Sequence, residues 1–113
     1  MKRFKYALQG LNTIVKKDWK FTIHLCCAAM AILLGIFVGI NKVEWLFLII
    51  AISLVLAFEA INTAVEYVVD LCTKEYNILA KYAKDIAAFS VLIVSVMSLI
   101  IGLVIFIPYL LAL

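Results

Sequence analysis

Glycine, proline, histidine and charge are all scarce in this chain of 113 residues: four glycines, one proline, one histidine, and charged side chains at only 15% of positions. Each shortage excludes something. The glycines, at 10, 35, 39 and 102, form no run that could cradle a phosphate, so a P-loop or a dinucleotide-binding turn is excluded. Cys26 and Cys27 stand side by side in an apolar run and Cys72 stands alone, which is neither a disulfide ladder nor a zinc-ligand spacing; they read as small apolar side chains. What fills the chain instead is hydrophobic, 68% of residues against roughly 45–50% in a soluble domain. Such a chain needs an apolar solvent, and a soluble globular enzyme is excluded. At about 20 residues per helical crossing, the length allows three or four spans and leaves no room for a second domain.

The formal net charge is +3, and Lys2, Arg3, Lys5, Lys16, Lys17 and Lys20 all fall near the start. Between them Phe4, Leu8, Leu11 and Val15 recur at helical spacing, with Ala7 and Ile14 alongside. The pattern predicts an amphipathic surface helix over 1–20, lying in the headgroup layer with its lysines against anionic lipid. The charge is therefore lipid-facing and topological, and no nucleic-acid partner is expected. The basic stretch is too long for a cleaved signal peptide, and no small-residue cleavage pattern follows it.

Three transmembrane helices are expected within one membrane-embedded domain covering 1–113. The first, 23–40, is apolar except for His24. The second starts at Trp45, an interfacial anchor, and runs to Asp70, because the apolar run to Phe58 is too short to cross alone. A polar segment from Asp70 to Asp85 is expected to turn the chain, and 86–113, without a charged residue, is the third span, with Pro108 near its end. No strand pattern competes, so the fold class is all-α. Gly35 and Gly39 have the spacing that lets helices approach closely. Lysine and arginine near the span ends number six before the first span, one (Lys42) in the first loop and three (Lys74, Lys81, Lys84) in the second. The N-terminus and second loop are expected on the cytoplasmic side and the C-terminus outside.

Chemistry concentrates in the stretch from Glu59 to Asp70. At 100° per residue, Asn62, Glu66 and Asp70 lie at about −60°, −20° and +20° from Glu59, and Thr63 near +40° widens the stripe. Even one carboxylate at membrane depth costs several kcal/mol unless a partner or water relieves it, so three on one stripe demand compensation. A divalent cation with a bound anion would supply it. Lys84 and Asp85, before the third span, can fold back toward the stripe, and Asp18 stands at the inner end of the first. Carboxylates with an amide, a lysine and no glycine-rich loop describe a way to hold polyphosphate through Mg²⁺, which takes one or two carboxylates plus phosphate oxygens and water. The lysine would neutralise charge on the transferred group and a spare carboxylate would act as base. Other readings share these residues: interhelical hydrogen-bonding glue, the coupling carboxylate of a small cation or multidrug exporter, or a structural or pore-forming membrane protein. Taken singly, Asp18, Lys84 and Asp85 also fit exposed surface charges, and His24 an interfacial histidine.

At these residues the sequence resembles the small prokaryotic integral-membrane lipid kinases, the family of diacylglycerol kinase and undecaprenol kinase. The resemblance rests on Glu59, Asn62, Thr63, Ala64, Glu66 and Asp70 in an E-x-x-N-[ST]-A-x-E-x-x-x-D pattern, followed by Ala83-Lys84-Asp85, and it covers nearly the whole chain. It implies transfer of the γ-phosphoryl group of ATP, with Mg²⁺, to the primary hydroxyl of a membrane lipid, in a homotrimer of the bacterial cytoplasmic membrane. Carried over, Glu59 resembles the catalytic base, which would also meet the lipid hydroxyl. Glu66 and Asp18 resemble the metal-binding acids, although the family usually has Glu where this chain has Asp18. Asn62, Asp70, Lys84 and Asp85 resemble the residues that position nucleotide phosphates, and Gln9 and Gly10 lie where the surface helix approaches nucleotide. Phe89 stands where small residues are usual. Phe21-Thr22-Ile23-His24 resembles the start of the first span in Gram-positive members, which implies undecaprenol as acceptor with His24 near it. Diacylglycerol, giving phosphatidic acid, is the alternative.

Overall fold

The computed structural model describes residues 2–113 as four helices: α1, Lys2–Lys17; α2, Trp19–Val38; α3, Lys42–Cys72; and α4, Ile78–Leu111. The last three are each long and apolar enough to cross a membrane. At 1.5 Å per residue, the 31 residues of α3 and 34 of α4 reach about 46 and 51 Å, well past a hydrocarbon core of about 30 Å. Each therefore has turns to spare outside the apolar layer.

Local chemistry sets the helix ends. Asp18 is extended (φ −116°, ψ 102°) and its side chain accepts the Lys20 backbone N–H, so α1 stops and α2 starts on this cap. Lys20 thus belongs to α2, whereas the sequence pattern carries the surface helix through residue 20. Gly39 ends α2 at φ 73°, a left-handed position suited to glycine. Asn41 and Glu44 form a reciprocal capping box at the start of α3. Asn77 caps α4 by accepting from the Leu79 and Ala80 N–H groups. The turn between α3 and α4 is therefore confined to 73–77. The expected turn over Asp70 to Asp85 is mostly helical, and Ala83-Lys84-Asp85 lie inside α4 rather than at its opening.

The most extensive packing is between α3 and α4. At the end holding the α2–α3 turn, Ile40, Leu48, Ile105 and Phe106 form a buried cluster, with Trp45 and Tyr109 against it. Gly35 serves this packing rather than a paired glycine face: a Cβ there would lie 2.9 Å from Trp45 Cη2 and 3.1 Å from Ile40 Cδ1, while one on Gly39 would meet nothing within 4 Å. Phe89 is exposed and crowds no neighbour within the chain. No residue of α1 is buried. The opposite end of α3 carries the polar stripe.

Candidate active site

Packing of α2 against α3 brings Asp18, Lys20, Glu59, Asn62, Thr63 and Glu66 together. Their burial is graded along α3. Glu59 is 2% and Asn62 3% exposed, whereas the side chains of Glu66 and Asp70 are 40% and 49% exposed. The stripe thus descends from the interior to the surface, one face of one helix crossing from low to high dielectric.

Asp18 is buried, and both its oxygens are engaged: Oδ1 accepts the Lys20 N–H at 3.0 Å and Oδ2 accepts the Thr63 hydroxyl at 2.6 Å. Burial alone would push this carboxyl up, but these hydrogen bonds outweigh it and hold it below the ordinary carboxylate range. Glu66 Oε1 accepts from Asn62 Nδ2 at 3.2 Å and from Lys20 Nζ at 3.4 Å. Lys20 Nζ also lies 4.0 Å from Glu59 Oε1. Among the described residues, the buried side-chain polar atoms left without a hydrogen-bond partner are Glu59 Oε1 and Asn62 Oδ1. Buried polar atoms are almost always paired, so two neighbouring exceptions, both hard oxygens, point to a missing partner.

Asp70 pairs across the α3–α4 turn with Lys84, Nζ to Oδ1 2.7 Å. Asp85 pairs with Lys81 at 2.6 Å on an exposed face of α4. His24 is half-buried one turn along α2 from Lys20. Gln9 and Gly10 stand apart. Both are exposed, the Gln9 carbonyl accepts the Thr13 hydroxyl, and Gly10 faces a cavity between α1 and α3 rather than the Asp70–Lys84 pair.

Four cavities run in series through these residues. A cup of about 290 Å³ at the α3–α4 turn holds Lys74, Lys84 and Asp85 and shares Asp70 with a polar cleft of about 280 Å³ that holds Asp18 and Glu66. That cleft shares Lys20 with a cavity of about 320 Å³ reaching Glu59 and Asn62. The third shares His24 with an apolar groove of about 340 Å³ leading along α2 and α4 to Phe106. Polar at one end and apolar at the other, the series passes the unpartnered oxygens in the middle.

The family model for prokaryotic diacylglycerol kinase matches residues 5–106. The chain belongs to this family. It is similar to the undecaprenol kinase of Bacillus subtilis, 37% identical over 95% of this chain and 87% of the relative. It is also similar to the diacylglycerol kinase of Haemophilus influenzae, 39% identical over 79% and 75%, and to that of Escherichia coli, 27% identical over 84% and 78%. This member of the prokaryotic diacylglycerol kinase family is a lipid kinase, a membrane transferase, and the exporter and pore-forming readings of its acid stripe fall away. The residue missed in the sequence is Lys20, counted there with the headgroup-facing lysines, and Thr63, on the margin of the stripe and in the motif, was given no role. Asp18 followed by an apolar-rich helix is the signal that was available: an N-cap there resets the helical phase and turns Lys20 toward α3.

Proposed function

We propose that this kinase phosphorylates the primary hydroxyl of undecaprenol with ATP and Mg²⁺. The observation that carries the reading is Glu59, a buried carboxylate with one oxygen unpartnered, lining the cavity that shares Lys20 with the polar cleft and His24 with the apolar groove. Glu59 would take the proton from the lipid hydroxyl as its oxygen attacks the γ-phosphorus and the bond from γ-phosphorus to the β-γ bridging oxygen breaks to release ADP, and His24, at the mouth of the groove, would meet the acceptor beside it. Asp18 and Glu66 would hold Mg²⁺. The donor set fits a hard cation: carboxylate oxygens with the free Asn62 Oδ1 beside them, and phosphate oxygens and water to complete the shell. No group of three or more His, Cys, Asp or Glu in metal-holding geometry occurs among the described residues, so nucleotide phosphates and water would have to complete the shell. When bound, the ion supplies charge neutralisation on the β- and γ-phosphates. Asn62, Asp70, Lys84 and Asp85 would position the nucleotide, whose phosphates the cup at the α3–α4 turn would receive. Gln9 and Gly10 are proposed to approach nucleotide only if α1 shifts or a neighbouring subunit supplies them.

The remaining parts follow the same reading. The chain acts as one membrane domain in the bacterial cytoplasmic membrane, with α1 as an amphipathic surface helix and the site end cytoplasmic, where Lys74, Lys81 and Lys84 lie. Three copies form a homotrimer, which would bury the apolar faces that α2 and α4 leave exposed. Undecaprenol is preferred to diacylglycerol because the undecaprenol kinase matches at 37% identity over 95% of this chain and 87% of its own length, whereas the diacylglycerol kinase of Synechocystis matches 97% of this chain at 33% identity but only 63% of its own length. The test is phosphate transfer from labelled ATP in mixed micelles with each lipid offered separately. Labelled undecaprenyl phosphate, lost in Glu59→Gln, is expected. Preference for diacylglycerol would change the acceptor and keep the mechanism, and transfer to neither would overturn the reading.

A further inference from the structure

We propose that Lys20 is a built-in counter-cation, which holds Glu59 and Glu66 together before substrate arrives and disfavours a bare divalent ion, so that metal enters efficiently only with polyphosphate. The proposal rests on the reading of Glu66 as a metal-holding acid and adds an order of loading to it. Lys20 Nζ lies 3.4 Å from Glu66 Oε1 and 4.0 Å from Glu59 Oε1, and it is the one cationic group within 4.0 Å of either carboxylate among the described residues. Its ammonium therefore sits between the buried, unpartnered oxygen of the candidate base and the oxygen of the candidate metal ligand. That is where positive charge is needed when no metal is bound, because Glu59 is buried and shares a helical face with the half-exposed Glu66 carboxylate.

Lysine suits a removable counter-charge. Its ammonium is a point charge with three donors on a flexible stem, and this side chain is 43% exposed, so it can swing aside. Lys20 lines both the polar cleft and the acceptor cavity, so the swing stays within the site. A bare divalent ion approaching Glu66 meets this ammonium and must displace it without offering a new anion. A polyphosphate brings that anion. Oxygens on the incoming phosphates accept the lysine N–H groups, the ammonium leaves Glu66, and the carboxylate is released to the ion. Metal and nucleotide binding are coupled through one side chain, and such coupling is reciprocal.

The test is nucleotide-free binding of Mn²⁺, read by electron paramagnetic resonance on the full chain in detergent micelles, for wild type, Lys20→Met and Lys20→Arg. Removing the ammonium is expected to tighten Mn²⁺ about 1.5- to fivefold, the range for a partly solvated charge contact, while Lys20→Arg stays near wild type. Melting supplies the second readout. Lys20→Met is expected to melt below wild type in chelator and to recover with Mg²⁺, because the ion replaces the missing charge. Equal or weaker Mn²⁺ binding in Lys20→Met would overturn the proposal, as would a variant that stays unstable with Mg²⁺ or never accumulates folded. Wild type with Mn²⁺ and a non-hydrolysable ATP analogue separates the two levels: no bound Mn²⁺ there defeats the metal-dependent reading itself, whereas normal binding there with no Lys20 effect defeats only this inference.

Discussion

Each end of the bundle holds an acid that ties helices together or could do so, half-buried Glu44 at one and buried Glu59 at the other, and the two are treated differently. Near the α2–α3 turn, Glu44 Oε1 accepts the Asn41 backbone N–H at 3.0 Å and the Tyr109 hydroxyl, so its demand is met inside the chain. Beneath the polar cleft, Glu59 is 2% exposed and its Oε1 has no hydrogen-bond partner. A fold that satisfies Glu44 with one local donor and one from across the bundle has the means to satisfy Glu59 in the same way. The difference marks Glu44 as a fastening and Glu59 as a group whose partner comes and goes.

The sharpest way to break that comparison is to neutralise both acids. Glu59→Gln is expected to lower phosphoryl transfer by about 10² to 10⁴, the range for loss of a positioned base, while melting holds or rises because a buried, incompletely paired acid is gone. Glu44→Gln is expected to do the reverse, with transfer per folded molecule kept and melting lowered. Rates and melting curves on both variants decide it. A Glu59→Gln variant that melts well below wild type would make Glu59 a fastening as well.

The packing beside Glu44 is tight as well. Gly35→Ala puts a methyl 2.9 Å from Trp45 Cη2, against a bulky ring already held by the apolar cluster. Overpacking of this kind costs about 1–3 kcal/mol. Gly102→Ala, with nothing within 4 Å of the added carbon, is the tolerated control. Unfolding titrations in mixed micelles should separate the two variants, with transfer per folded molecule unchanged in Gly35→Ala.

At the site end the corresponding fastening is Thr63 on Asp18. Thr63→Val removes the hydroxyl that donates to Oδ2 at 2.6 Å, and a buried acceptor left unpaired costs about 1–3 kcal/mol. The pH dependence carries the sign. Asp18 lies below its ordinary value of 3.8 in the folded chain, so its contribution is complete above that value and is lost as pH falls through the lower, folded one. The melting gap between wild type and Thr63→Val should therefore be full at neutral pH and shrink on acidification below 3.8. A gap constant across that range would assign Thr63 to packing alone.

The comparison also explains what the sequence could and could not reveal. The acid stripe was legible because helical geometry is rigid: Glu59, Asn62 and Glu66 share a face at any tertiary arrangement, and the long apolar flanks fix their depth. The approach of Lys84 to Asp70 was legible because a short polar turn forces a hairpin. The turn's limits were not. Residues 78–85 look polar enough for a loop, yet their lysines and aspartate ride one turn of helix after another from the Asn77 cap. Lys20 was hidden for a related reason, since a basic run reads as headgroup-facing until Asp18 breaks the helix. Neither Gly35 nor Tyr109 carries a signal of its partner, because Trp45 and Glu44 meet them only through tertiary contact.

The smallest expected effect tests the fastening at its outer contact. Tyr109→Phe keeps the ring against the apolar cluster and removes only the hydroxyl that donates to Glu44. Glu44 retains the Asn41 N–H, so the capping box of α3 survives and the loss is confined to the tie between the start of α3 and the end of α4. A slight fall in melting temperature with unchanged phosphoryl transfer is expected, and in a Glu44→Gln background the Tyr109→Phe change should add less than it does alone, because the two remove the same contact. Full additivity would show that the Tyr109 hydroxyl acts independently of Glu44, and that Glu44 is fastened by its cap rather than across the bundle.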